Sequence, residues 1–211
     1  MSSLRFEMDG EWDLEDLAML STSLKLTYAY YYWIAISPEH VPQDIRAQIS
    51  TYFWSGEYIG PRFNERLYAA VPHDSRLRVI SIQYNSPGWI EVQGAAEALK
   101  MAGEAGLAWV IFAERTLDLL NKIKKFFRDR EIERIPKKVS LAKIGGATID
   151  EARALCFEIG SALAFDDKRI EGLIELAGSP ISALRMLAAL ANEARRTGDL
   201  EKAGKLKLPR R

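Results

Sequence analysis

Leu77-Arg-Val-Ile-Ser-Ile-Gln-Tyr84, Asn85-Ser-Pro-Gly88 and Trp89-Ile-Glu-Val-Gln93 form the stretch on which the architecture turns. In the first segment Val79, Ser81 and Gln83 alternate with Ile80, Ile82 and Tyr84. In the second, Ile90 and Val92 alternate with Trp89 and Glu91. A two-residue period places successive side chains on opposite faces of a strand, the state that β-branched and aromatic residues favour. Asn, Ser, Pro and Gly between the segments are all turn formers, so the stretch predicts an antiparallel hairpin.

Working outward toward the N-terminus, Leu4-Arg-Phe-Glu-Met8 alternates in the same way and is closed by Asp9-Gly10, which predicts a further short strand. Asp13 then suits an N-cap, with Glu15 and Asp16 in a first turn whose positive dipole end favours carboxylates. Leu14, Leu17, Leu20, Leu24, Tyr28 and Tyr31 mark one face of a helix over 14–36, stopped by Ser37-Pro38. The stretch 39–75 is less regular. A short helix over 43–53 is expected there, then an ordered loop carrying Trp54, Tyr58, Phe63 and Tyr68.

On the other side of the hairpin a helical stripe runs over 95–133 and ends at Ile135-Pro136. Thirty-nine residues at a 1.5 Å rise would reach about 58 Å. A compact globule of this chain length is only about 43 Å across. The helix therefore bends, at Gly103 or Gly106, or projects and needs a partner. Helices over 150–164, 167–177 and 179–196 follow, with Asp166, Ser179 and Pro180 as start signals.

The predicted fold class is thus α+β and helix-dominated. A small antiparallel sheet, made of a short N-terminal strand plus the hairpin, is packed by long helices and followed by a C-terminal helical bundle. The expected organisation is an α+β domain over 1–136, a basic connector over 137–148, a helical domain over 149–200 and a mobile basic tail over 201–211.

The 211 residues are 48% hydrophobic and 27% charged, within the range of a folded globular protein. One cysteine excludes an intramolecular disulfide, and with two histidines there is no set to hold a structural zinc. No phosphate-loop or dinucleotide-binding glycine pattern occurs, so no cofactor is expected. The first residues lack a basic segment followed by an apolar one, and no apolar run approaches the roughly 20 residues that span a bilayer. These features predict a cytoplasmic protein without an integral membrane segment. Twenty-nine basic residues balance 29 acidic ones, but residues 1–75 carry a net −6 and residues 76–211 a net +6.

Two segments stand out as candidate binding surfaces. Over 122–143, nine Lys/Arg oppose three Asp/Glu. Within this run Lys122, Lys124, Lys125, Arg128, Lys137 and Lys138 could neutralise phosphates of a nucleic acid, with a steep salt dependence. The plainer reading is a solvated helix face. In the long helix, Gly106, Val110, Ala113, Leu117 and Leu120 form a heptad-like series suited to another helix, from this chain or a second copy. The five aromatics of Tyr28-Ala-Tyr-Tyr-Tyr-Trp33 point around more than half a helix and read as core.

Other motifs point less far. Cys156 lies in an apolar helical segment and reads as a buried, protonated thiol. His73-Asp74 would be a catalytic pair only inside a concave site. Glu57-Tyr-Ile-Gly60, with Arg66 and His73, resembles the second half of a GIY-YIG nuclease motif, but 49–55 does not supply the preceding Gly-Ile-Tyr strand. The 173–187 stretch is similar to the sensor helix in the lid of clamp-loader ATPases, over some 15 residues and without the nucleotide motifs. The expected function is a non-catalytic, adaptor-like interaction or assembly protein that binds a protein partner or itself through the long amphipathic helix. The alternatives are a nucleic-acid-binding accessory protein using the basic 122–143 stretch and the C-terminal tail and, behind it, an enzyme with a loop His-Asp site.

Overall fold

The computed structural model describes residues 2–36, 38–55, 61–130 and 144–207, with the backbone alone described at 38, 51–55, 61–64, 104–117 and 194. It is a helix-dominated α+β protein. In chain order the elements are β1 (Ser2–Met8), α1 (Leu14–Ala35), α2 (Gln43–Ser55), α3 (Pro61–Ala69), β2 (Arg78–Gln83), β3 (Gly88–Gly94), α4 (Ala96–Asp129), α5 (Gly146–Ala162), α6 (Asp167–Ala177), α7 (Pro180–Lys202) and β4 (Leu206–Lys207).

The four strands lie in the order β2-β3-β1-β4, and every pairing is antiparallel. β3 runs unbroken along β1, from Ser2 opposite Gly94 to Met8 opposite Gly88. Phe6 thereby meets Ile90, and Leu4 meets Val92, on the face turned toward α4. Arg5 and Glu91 meet on the opposite, polar face, 3.0 Å apart. The hairpin expected over 77–93 is present, with an irregularity its alternation did not announce. Val79 pairs with Val92 and Ser81 with Glu91, so Ile80 is an extra residue that bulges β2.

α1 is the hub of the helices. Asp13 forms a reciprocal capping box with Asp16, which sets its start. From Leu26 on it is enclosed almost all round, with Tyr28, Tyr30 and Tyr31 each 1% exposed or less. That enclosure is possible because α1 packs against α3, α4, α6 and α7 at once. Two of its aromatics reach carbonyls: Trp33 Nε1 donates to Leu67 O at 3.1 Å, and the Tyr28 hydroxyl donates to Ser75 O. Tyr31 meets Phe165 edge-to-face at 5.8 Å.

α7 lies against α1, α2, α4, α5 and α6, and a single buried cluster extends from Phe6 in β1 to Leu206 in β4. The caps expected for the last helices are in place. Asp166 accepts from Arg169 N at 2.8 Å, Ser179 accepts from Ser182 N at 3.1 Å, and Gly178 closes α6 at φ 76°. Burial also reaches Glu193, whose carboxylate accepts from Ser23 and Arg196, each at 3.1 Å.

Two segments differ from expectation. Residues 61–69 are helix rather than loop, with Pro61 at the first position, where its missing N–H costs nothing. Residues 202–207 are tied down rather than mobile: Leu206 is fully buried and pairs with Met8, Asp9 N donates to Lys205 O at 2.8 Å, and Lys205 is ion-paired with Asp16.

Candidate interaction surface on the sheet edge

β2 has the apolar content of a core strand and is exposed along its length. Val79 is 58% exposed, Ile80 49% and Ile82 54%, and Tyr84 just beyond is 66% exposed. Their partners in the ladder are buried: Val92, opposite Val79, at 2%, and Ile90, opposite Ile82, at 9%. The cause is lateral. α4 covers β1 and β3, and the sheet extends one strand further than that cover. Val79 and Ile82 continue the inner apolar row of the sheet into solvent.

The edge is nonetheless held firmly. Tyr68 Oη donates to Leu77 O at 3.0 Å at the start of β2. Next to it, the Tyr28 hydroxyl bridges the loop and the hairpin, donating to Ser75 O and accepting from Ala95 N at 2.9 Å. Its ring lies so close to Gly94 that a Cβ there would stand 2.8 Å from Cε2. The far end is pinned by Tyr84 Oη, which donates to Trp12 O at 3.3 Å. Among the described residues no strand pairs with the outer edge of β2, so its outward N–H and C=O groups have no ladder partner there.

Beside Tyr84 an open groove of about 650 Å³ is lined by Trp12, Asp13, Leu14, Glu15, Leu17 and Tyr84. Leu14 stands in it 81% exposed, although its place in the helical stripe pointed inward. α1 begins outside the covered part of the molecule, so its first stripe residue has nothing to meet.

The two ends of this surface differ in charge. Asp13 and Glu15 line the groove at the Tyr84 end, and Glu11 precedes Trp12, whose carbonyl accepts from Tyr84. Asp9 lies just beyond, its carboxyl held below the usual range by hydrogen bonds from Ser86 and then Gly10 N–H, and Lys205, ion-paired with Asp16, stands among these acids. Arg76 and Arg78 stand at the other end, their guanidinium groups bonded to the carbonyls of Val71, Ala69 and His73.

The basic run is only partly within the described residues. Lys122, Lys124, Lys125 and Arg128 are exposed on α4. At 3.6 residues per turn, Lys124 and Arg128 flank one side of the buried Ile123 and Phe126, and Lys122 flanks the other. Lys125 and Asp129 lie between them on the solvent side, so the cations are distributed around half the helix. Lys122 is ion-paired with Glu158, and Arg130 with Glu151. Lys137 and Lys138 lie outside the described residues, as does 57–60 with the nuclease-like motif. Gly106, Val110, Ala113 and Leu117 fall in α4 where the side chains lie outside the described residues; Leu120 is 5% exposed.

His73 and Asp74 stand on an open turn, 3.8 Å apart and 81% and 96% exposed. Cys156 is fully buried and donates to Pro180 O at 3.3 Å, and burial pushes its thiol up to about 12. Among the described residues no group of three or more His, Cys, Asp or Glu is placed to hold a metal ion. No single helix among them is both long and apolar enough to cross a membrane; α6 and α7 meet the two conditions only when taken together, across a 110° bend.

Sequence reading found the hairpin and missed its exposed arm. Both arms place Val and Ile beside an aromatic residue at a two-residue period, so no local signal marked the exposed one. Comparison of the chain with protein-family models, with curated proteins and with solved structures gives no match.

Proposed function

We propose that this chain is a non-catalytic protein-interaction protein whose docking surface is the outer edge of β2 with its apolar row. The observation that carries this reading is the exposure of Val79, Ile80, Ile82 and Tyr84 on a strand pinned at both ends. An edge of this kind binds by strand addition: backbone groups supply affinity, and alternate side chains supply selectivity. Pinning lowers the ordering cost on binding.

The test is selection from a displayed library of random peptides. Extended apolar binders are expected, their binding lost in Val79→Lys/Ile82→Lys and kept in Lys124→Glu/Lys125→Glu. Bound peptide should slow amide exchange over 78–84. Failure to select binders, or binders indifferent to β2, would overturn the reading.

A second reading is polyanion binding through α4. It is favoured by Lys124 and Lys125, which are exposed and have no carboxylate partner among the described residues. It requires affinity for nucleic acid that falls steeply with salt and is lost in Lys124→Glu/Lys125→Glu/Arg128→Glu.

A further inference from the structure

We infer that the occupant of the β2 edge is a second copy of this chain, paired antiparallel about a two-fold axis so that two four-stranded sheets join into one. The inference rests on the docking surface proposed above and specifies its partner.

Charge placement is the argument. One end of the exposed surface carries Asp13 and Glu15 beside Tyr84, with Glu11 next to the Trp12 that Tyr84 bonds, and the other carries Arg76 and Arg78. Lys205 at the acidic end is ion-paired with Asp16, and Asp74 at the basic end is turned to solvent, 96% exposed. A two-fold axis through the middle of β2 reverses one copy against the other. It lays the acidic end of each copy beside the basic end of its partner, twice over. Isologous contacts of this kind require a surface complementary to itself, and the division of charge along β2 meets that requirement. The two Arg78 side chains, at the start of their strands, fall at opposite ends of the shared ladder and do not meet.

The apolar groups agree with this arrangement. A two-fold axis perpendicular to the sheet keeps the inner faces of both copies on the same side. Val79 and Ile82 of one copy then continue into Val79 and Ile82 of the next, and each row gains the lateral cover it lacks. Beyond Arg78 at its start, the strand carries neither charge nor proline to discourage edge pairing. The bulge at Ile80 twists the strand, which disfavours flat, indiscriminate pairing while both copies bring the same twist.

The deciding experiment is a charge exchange read by analytical ultracentrifugation of the full chain. Unmodified protein should show a concentration-dependent monomer–dimer equilibrium. Arg78→Glu alone, and Glu11→Lys/Glu15→Lys alone, should each weaken dimerisation at least tenfold, because like charges then meet at both ends. Mixing the two variants should restore association. In the mixed dimer the introduced carboxylate of one variant faces the introduced lysines of the other at one end, and the retained Arg78 faces the retained Glu11 and Glu15 at the other. Far-UV circular dichroism checks that each variant is folded, and rescue by mixing excludes misfolding as the cause. Three results would overturn the inference: a strict monomer at millimolar concentration, a dimer that survives Val79→Lys/Ile82→Lys, or variants not rescued by mixing. If the chain is monomeric but still captures selected peptides on β2, the self-pairing fails and the docking reading stands. If neither occurs, both fail.

Discussion

β2 and β3 are the two arms of one hairpin and draw on the same residue types, Val and Ile with an aromatic neighbour. In β3 alternate residues are buried without a break, from Gly88 through Ile90 and Val92 to Gly94. In β2 the residues directly across from them are exposed. Composition and period are alike, so neither decides burial. What decides it is whether a helix from elsewhere in the chain lies overhead, and α4 stops one strand short. An apolar side chain has two different physical roles in the two arms. In β3 it holds the fold together, and in β2 it lies in water.

The sharpest way to break that contrast is to truncate matched residues. Phe6→Ala, which empties the space opposite Ile90, should cost about 3–5 kcal/mol in urea denaturation, and Ile90→Ala about 2–5 kcal/mol. If either cost under about 1 kcal/mol, the covered side of the sheet would not be the core described here. The link between the arms comes next. Tyr28→Phe leaves Ala95 N–H and Ser75 C=O without their shared partner and should cost about 1–3 kcal/mol. Gly94→Ala, which sets a methyl against the Tyr28 ring, should cost a similar amount, about 1–3 kcal/mol. Val79→Ala and Ile82→Ala should change stability in dilute solution by no more than about 0.5 kcal/mol, as exposed positions do. They should still reduce self-association in ultracentrifugation.

A smaller effect tests the far edge of the sheet. The Lys205 ammonium beside Asp16 lowers the carboxyl's pKa, and Asp16 in turn raises that of Lys205. Folded-state Asp16 lies below its unfolded value of about 3.9, so its contribution is present above that pH and lost as pH falls through the folded value. Folded-state Lys205 lies above its unfolded value of about 10.4, so its contribution is present below that pH and lost as pH rises through the folded value. Melting temperatures of the parent and Lys205→Met should therefore differ by a constant amount between these limits and converge outside them. The smallest expected effect is none: with its thiol pushed up to about 12, Cys156 should stay unmodified by a thiol reagent until the protein is unfolded.

Sequence pattern carried the hairpin, the N-terminal strand, the helix starting at Asp13 and the caps at Asp166 and Ser179, because each is set by residues adjacent in the chain. It did not carry what depends on distant neighbours. Leu14 begins a correct helical stripe and still faces water, since stripe position says which side of α1 it occupies and not how far the cover extends. Leu206 sits in a short basic segment with no period to read, and only its pairing with Met8 makes it a strand. The helix at 61–69 was signalled by Pro61, a cue overshadowed by the surrounding glycines and prolines. The candidate surface was hidden for the same reason as Leu14: alternation reveals faces, whereas exposure belongs to the assembled molecule.

The pairing of β1 bears on how the chain acquires its fold during synthesis. β1 is central in the sheet and made early, yet the strands that flank it are β3, more than 80 residues later, and β4, near residue 206. A growing chain therefore holds Phe6 and Met8 without either neighbour until β3 has been made. The helices packed on α1 are no more local: α4 begins at residue 96 and α7 at residue 180. Sheet closure and helix packing are therefore both events of high contact order. Until α7 and β4 have followed, the apolar face of β1 and the aromatic face of α1 both lack part of their cover.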